Sequence, residues 1–524
     1  MTDQSESRNI KAATIVFFVA LLVIGLFVYR DYGISWDEFP TRKFGYMNVL
    51  DVVPDAATLD SVRAADGPAF ERFGPAFEIL LVRGELLLHS NDLRLVMQMR
   101  HLANFLIFYI GVVFFYLFCR RRFRPGIALL SCVCLVLSPL LFSHAFYNVK
   151  DIAFLTMFVA SMLTLDTVLD DPRWRTVLVH AIATGILVGT RILGIFAMLL
   201  TGVAALARRP SSRTVLFLLA YGVVVMLVLP VVWPVMRLDP IGIIKDAVLG
   251  STTNPYNNTD LFRGTQYPAT ALPWDYVPTW ILITTPIVIT ALFVVGVLAS
   301  ILGVVRKPID YLLREKQRDV IVLSWFFLPV IGCVVLRPIL YDSWRHLFFI
   351  YPALVYLAAV GMETIVTRAE RLAGEEKRRL VSGVLTGALL LCLAPVVAFM
   401  VRNHPFEHVY FNRLAGRDMA EIKQRFELDY WGLSYRKALE YIVSTDTSSI
   451  IRIHGANFPA AVNSVMLSPS DRARVRFVPM SQPADYFITN YRFHPQPYPY
   501  APEVFGVRVG NASIASVFLL RHTP

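Results

Sequence analysis

Residues 12–29, AATIVFFVALLVIGLFVY, run straight into Arg30-Asp-Tyr-Gly-Ile-Ser-Trp-Asp37-Glu38. The first stretch carries no charge and approaches the roughly 20 residues that a helix needs to cross a bilayer. It follows a short polar tail with Arg8 and Lys11. It is longer than a signal-peptide core and is followed by no clear small-residue cleavage site, so it reads as a retained anchor. The second stretch sets two adjacent carboxylates where the chain leaves the membrane. Charge at such a surface is a weak functional hint until partners for it are found.

The same hydropathy recurs along the chain. Apolar spans lie near 102–119, 126–142, 152–169, 176–190, 192–207, 214–236, 277–304, 320–336, 347–366 and 381–400. With the first, that makes about eleven transmembrane helices. Only 17% of residues are charged, against about a quarter in soluble domains. The net charge of +11 does not indicate nucleic acid, because the excess Lys and Arg sit in short loops between spans. The five cysteines lie in or beside apolar spans and form no Cys-x-x-Cys pair. Neither a disulfide framework nor a zinc site is indicated.

Basic loops face the cytoplasm. Arg120 to Arg124, Arg173/Arg175, Arg208 to Arg213, Arg306 to Arg318 and Arg368 to Arg379 fall on alternate loops, which puts the N-terminus inside. The alternation holds if Arg191 is a turn between two spans. The outside face then receives loops 30–101, 143–151, 237–276 and 337–346, the Arg191 turn and everything after about 401.

In the first outside loop, Phe73, Phe77, Leu80, Leu81, Leu87 and Leu88 alternate with Glu71, Arg72, Glu78, Arg83 and Glu85. That spacing predicts a helix with one apolar face, lying at the interface or packed on other protein. Phe44 to Val53 is a second helical stretch. Loop 237–276 is rich in Gly, Pro and Asn and is expected to be irregular, a lid or binding loop. Past residue 400 a helix near Arg436 precedes short β-rich runs at 450–453, 475–478, 486–489, 504–509 and 516–520, the last two joined at Gly510-Asn511. The expected organisation is a membrane module over 1–400 and a small extracytoplasmic α/β domain over 401–524. The second part carries no Gly-rich nucleotide fingerprint, no Gly-x-Ser-x-Gly and no His-rich metal motif.

The outside face collects Asp37, Glu38, Lys150, Asp151, Arg191, Arg263, Arg337, Arg345 and His346. Arg on an outside loop runs against the positive-inside trend and calls for an anionic partner, or for a neighbour such as Asp342. A carboxylate can serve as general base toward a hydroxyl, and Arg or Lys can hold a phosphate as charge builds on it. Together with apolar spans for a lipid tail, these parts suit displacement of a lipid-linked phosphate from a sugar carbon.

Four segments, in order, resemble the GT-C class of membrane glycosyltransferases, particularly bacterial relatives of protein O-mannosyltransferases and of the lipid A aminoarabinose transferase. They are Asp37-Glu38, Phe146-Tyr-Asn-Val-Lys-Asp151, Pro273-Trp-Asp-Tyr-Val-Pro-Thr-Trp-Ile-Leu-Ile-Thr-Thr-Pro286 and Tyr341-Asp-Ser-Trp-Arg-His346. The resemblance covers roughly residues 10–370. It implies an inverting transferase that moves one sugar from a polyprenyl-phosphate donor to an acceptor hydroxyl on lipid A, polysaccharide, lipid or protein, outside the cytoplasmic membrane. By position Asp37 is the base, with Glu38 orienting or assisting it and Asp151 a second acidic residue at the site. Lys150, Arg345 and His346 are candidates for the donor phosphate, and Arg191 and Arg263 are further ones. The large inserted domain of eukaryotic protein O-mannosyltransferases has no counterpart, which disfavours a protein acceptor. Oligosaccharyltransferases of the class use a metal and a Trp-Trp-Asp motif, which this chain lacks, so no metal and no cofactor are expected. A flippase or transporter of lipid-linked sugars and an oligosaccharide ligase are the alternatives.

Overall fold

The computed structural model describes residues 2–49, 73–253, 258–314 and 316–520. Glu71, Arg72, the end of the 44–53 stretch and Asn254 to Asn257 lie outside them. Every expected apolar stretch carries helix. The elements are α1 (Thr2–Val28), α2 (Glu38–Val49), α3 (Ala76–Leu88), α4 (Leu93–Arg120), α5 (Pro125–Val136), α6 (Pro139–Tyr147), α7 (Val149–Asp170) and α8 (Trp174–Thr190). They continue with α9 (Ile195–Arg208), α10 (Ser212–Val232), α11 (Tyr276–Thr284), α12 (Ile287–Arg306), α13 (Gln317–Leu336), α14 (Tyr351–Ala373) and α15 (Arg378–Asn403). Among the described residues, eight helices are long and apolar enough to span a membrane, and the bent pair α5–α6 makes a ninth if it is one span. Helices α8 and α9 are shorter. The chain is a multi-pass membrane protein.

Two spans expected to be continuous are broken, both at proline. The stretch 126–142 bends by 68° between α5 and α6. Pro139 opens α6, and Ser138 before it is extended, with φ −90° and ψ 103°. The stretch 277–304 breaks between α11 and α12, where Thr285 is extended before Pro286. A proline ring clashes with a helical residue in front of it and lacks the N–H that the helix ladder needs.

The segment 143–151, expected as a loop, is almost wholly helical. Helix α6 runs to Tyr147 and α7 starts at Val149, so Asn148 alone separates them. Its side-chain oxygen accepts the Asp151 N–H at 3.1 Å, capping α7.

Loop 237–276 is more regular than its composition suggested. It contains a helix over Pro240–Thr253 and a hairpin of β1 (Thr259–Phe262) with antiparallel β2 (Thr265–Pro268). Arg263 and Gly264, with φ of 52° and 86°, form the two-residue turn. Positive φ at both central positions gives the turn a twist that matches the flanking strands.

The amphipathic stretch in the first outside segment is helix α3, with its faces assigned unexpectedly. Glu78 and Glu85 are buried while Leu80 and Leu87 are exposed. The acids turn inward because Arg100 of α4 is itself fully buried between them, at 2.6 Å from Glu78 and 2.7 Å from Glu85. Arg42 and Tyr46 of α2 reach Glu85 as well, at 2.8 and 3.0 Å. Buried charges need such paired partners, and the leucines are left for apolar surroundings. Helix α3 is thus pinned to the spanning helix α4.

After α15 the chain forms α16 (Met419–Arg425) and α17 (Tyr435–Thr445). A five-stranded sheet follows: β3 (Ile451–Gly455), β4 (Val475–Phe477), β5 (Tyr486–Thr489), β6 (Glu503–Val509) and β7 (Ala512–Leu519), ordered β4-β3-β5-β7-β6. The last strand begins four residues earlier than its apolar run, directly after the hairpin turn at Gly510, whose φ is 58°. Tyr435, Leu439 and Ile442 of α17 pack with Ile451, Ile453 and Ile488 of the sheet in a core of their own. The linker between α15 and α17 packs differently: Val409, Phe426, Tyr430 and Trp431 join the large core of the helical bundle.

Candidate active site

The bundle, the segment after α1 and the C-terminal part meet at Arg345. This residue opens a 3-10 turn (Arg345–Ile350) that leads into α14. Its side chain is 3% exposed. Its Nη1 lies 3.1 Å from Asp37 Oδ2 and 3.4 Å from Asp151 Oδ2, and its Nε lies 3.3 Å from Asp342 Oδ2. The guanidinium also faces the rings of Tyr341 and Trp431, at 4.9 and 5.0 Å. Three carboxylates and two aromatic faces hold one planar cation, which is the geometry that Arg satisfies and Lys does not.

Asp37 stands at the turn before α2 and its side chain is 34% exposed, whereas Asp151 is 1% exposed. The exposed carboxylate can meet a substrate; the buried one organises cations. Asp151 pairs with Arg191, which sits at the extended break after α8, and accepts the Asn148 amide at 2.9 Å. Lys150 places its ammonium 3.8 Å from the centre of the Phe73 ring. Asp37, Arg191, Asp151 and Arg345 all act on it electrostatically. His346 lies with its ring against Tyr341 at 4.8 Å, within the field of Arg345, Arg191, Asp151 and Lys150. Its Nδ1 is buried without a hydrogen-bond partner. Burial raises the Tyr341 phenol despite the pull of Arg345, so it keeps its proton.

Six of the eight candidate residues therefore converge. Two do not. Glu38 points the other way and is 1% exposed: its Oε1 accepts the Ser35 N–H at 2.6 Å, and its Oε2 lies 2.8 Å from His101 Nε2 of α4. Arg263, at the hairpin turn, is half exposed and pairs with Asp275 at 2.6 Å and with Thr279 at 3.0 Å. A side chain committed to the first turn of α11 is spent there. Arg337, the exposed residue after α13, makes no contact with the cluster among the described residues.

Sequence reasoning missed Trp431 and Arg492, both from beyond α15. Arg492 Nη2 reaches Asp342 Oδ1 at 2.6 Å and its guanidinium lies 5.1 Å from the Trp36 ring, beside Asp37. The only advance signal was the aromatic stretch Asp429-Tyr-Trp-Gly, whose partners are distant in the chain.

Behind Arg345 lies a second acidic group, Asp260, Asp342 and Glu427, all buried. Burial, with repulsion by Asp342, pushes Glu427 up to about 7, against the pull of Arg492 and of the Phe493 backbone N–H. Asp260 is raised by the same burial and by Glu427 and Asp342.

This helical bundle with its charged site and appended sheet has the GT-C architecture. The family model for dolichyl-phosphate-mannose-protein mannosyltransferase matches residues 96–234, about a quarter of the chain. The match runs from within α4 to just past α10 and includes Lys150, Asp151 and Arg191. ArnT from Cupriavidus metallidurans, bound to undecaprenyl phosphate, superposes with a TM-score of 0.51 at 14% identity, over 96% of this chain and 97% of that one. Its apo form gives 0.50 at 14% identity, over 97% and 98%. The apo oligosaccharyltransferase of Archaeoglobus fulgidus aligns at 10% identity over 87% of this chain and 64% of its own, with a TM-score of 0.49. No curated protein sequence matches the chain. The expected fold class, a polytopic GT-C-like helical protein with a small C-terminal sheet, is met.

Proposed function

We propose that this protein is an inverting glycosyltransferase that moves a single sugar from a polyprenyl-phosphate carrier to an acceptor hydroxyl. The observation that carries it is the half-open Asp37 held by Arg345 in a cluster with Asp151, Arg191 and Lys150. The likeness in fold to ArnT, which binds undecaprenyl phosphate, supports the carrier class. The acceptor oxygen attacks the anomeric carbon and the bond from that carbon to the phosphate oxygen breaks. Polyprenyl phosphate leaves with the bonding pair, and Asp37 takes the hydroxyl proton. Lys150, Arg191 and Arg345, with His346 beside them, stabilise charge on the departing phosphate. Glu38 is a positioning residue: it ties the Asp37 turn to α4 through His101. The acceptor is a glycan, lipid or protein of the cell envelope. The loop-charge pattern supports an inner-membrane protein with the N-terminus inside. It places the site and the part after residue 401, proposed as a separate domain, outside the cytoplasm.

The test is transfer from synthetic polyprenyl-phosphate sugars by purified protein, with Asp37→Asn as control. Release of polyprenyl phosphate that needs both Asp37 and an acceptor is the expected result. Donor movement across liposomes without sugar release would replace the transferase with a transporter. Transfer only from diphosphate-linked oligosaccharides would make it a ligase.

A further inference from the structure

We propose that Asp260, Asp342 and Glu427 form a binding site for one hard divalent cation, Ca²⁺, which clamps three segments together behind Arg345. The three residues come from β1, from the loop before α14 and from the linker after α16. One carboxylate oxygen of each lies within 4.8 Å of the others, and the side chains are buried, at 3%, 5% and 9% exposure.

What singles out the cluster is how unevenly it is satisfied. Asp342 is better supplied: Arg492 donates to its Oδ1 at 2.6 Å and Trp431 Nε1 to its Oδ2 at 3.1 Å, with Arg345 Nε 3.3 Å from Oδ2, and Oδ1 keeps a second lone pair. Asp260 receives only the Asp342 N–H, at 3.4 Å on Oδ1, and its Oδ2 has no donor. Glu427 has only the Phe493 backbone N–H nearby, and neither of its oxygens takes a hydrogen bond of good geometry. Buried carboxylate oxygens are ordinarily hydrogen-bonded or metal-bound. Two side chains turned into one small space with three oxygens unfilled point to a cation between them.

The donor set decides which cation. It is all oxygen, with no His or Cys, which selects hard ions over zinc. Ca²⁺ binds oxygens at about 2.3–2.6 Å, so ligands facing each other across it stand roughly 4.6–5.2 Å apart, whereas Mg²⁺ demands roughly 4.0–4.2 Å. The separations, all below 4.8 Å, admit either ion, but three side chains from three separate segments, completed by waters from the cleft, suit the flexible shell of Ca²⁺ better than the near-ideal octahedron that Mg²⁺ demands. Glu427 also lines a cleft with Leu261, Gln266 and Arg492, a route for the ion and its waters.

The consequence lies at Arg345. Asp342 and Ser343 both hold left-handed backbone, with φ of 59° and 63°. Non-glycine residues keep that conformation only where their surroundings enforce it. A cation on Asp342 fixes this loop, and with it the guanidinium that holds Asp37. The same ion staples the β1–β2 hairpin and the Glu427 linker to it.

The experiment uses the full-length protein in nanodiscs of zwitterionic lipid and reads binding, so it stands apart from the transferase proposal. Tb³⁺ is titrated with excitation at tryptophan, since Trp431 touches Asp342 and would sensitise a bound lanthanide. One saturable Tb³⁺ site is expected, displaced by Ca²⁺ well before Mg²⁺, and lost in Glu427→Gln and Asp260→Asn. Ca²⁺ should also raise Tm of the wild type by several degrees, and chelation should reverse it. No Ca²⁺-displaceable signal on folded wild type, or a signal unchanged in Glu427→Gln, overturns the site. A wild-type Tm indifferent to Ca²⁺, with Glu427→Gln more stable than wild type, would assign the cluster a shared proton instead. Should the variants fail to fold, the wild-type titration and Tm decide.

Discussion

Arg345 Nη1 lies 3.1 Å from Asp37 Oδ2, joining the loop after the first helix to the turn that opens α14. The contact aims a partly exposed carboxylate while a buried neighbour, Asp151, shares the same nitrogen. In the proposed reaction Arg345 thereby orients the base and supplies charge where phosphate departs.

Asp37→Asn keeps the shape of the side chain and removes its basicity. Sugar transfer should fall by about 10²–10⁴-fold, the usual worth of a general base, with unchanged amounts of folded protein in the membrane. Product release per mole of monodisperse protein checks it. Full activity would end the role assigned to Asp37.

Glu38 is the contrast, one residue away. Glu38→Ala leaves the Ser35 N–H and His101 Nε2 without their acceptor in a buried place. A loss of about 1–3 kcal/mol in stability is expected. Turnover of the protein that still folds should drop far less than in Asp37→Asn. Thermal unfolding in detergent, read beside kcat, separates the two effects.

Arg100 is fully buried between Glu78 and Glu85. Arg100→Met strands Glu78 and leaves Glu85 only Arg42 and Tyr46, and breaking a buried pair in this way costs about 3–5 kcal/mol. Helix α3 should detach before the bundle unfolds. Limited proteolysis of the segment between α2 and α4 should accelerate, while Arg100→Met combined with Glu78→Gln and Glu85→Gln should recover much of the loss.

His404 joins α15 to the first outside segment, at 2.6 Å from Glu407 and 3.0 Å from Asp31. Burial opposes its charge, but the hydrogen bonds and charges of Glu407 and Asp31 outweigh it and raise its pKa above the ordinary 6.5. A raised histidine stabilises fully below its unfolded value, and that contribution is lost as pH rises through the folded value. Tm of the wild type should therefore decline from about pH 6.5 upward relative to His404→Gln. Equal pH profiles for the two proteins would show that the contact carries no charge.

The helices were legible because each apolar stretch signals independently of the rest of the chain. The breaks at Ser138 and Thr285 fall before Pro139 and Pro286, but Pro230, Pro329 and Pro395 sit inside unbroken helices, so proline alone does not mark them. Asp37, Lys150, Asp151, Arg345 and His346 could be picked out because charge near a membrane is costly and stands out against an apolar background. Glu38 shares that background with Asp37, and no local pattern says that one faces the site and the other His101. That depends on where α4 lies. Nor could the inward turn of Glu78 and Glu85 be read from an amphipathic pattern, since their partner is a buried arginine on another helix. Trp431, Arg492 and Glu427 belong to a segment whose own composition shows only a small α/β unit. Sequence by itself determined which segments enter the membrane, because transfer free energy is local and additive. Only the tertiary structure decided which charges meet, because an ion pair depends on the separation in space of residues far apart along the chain.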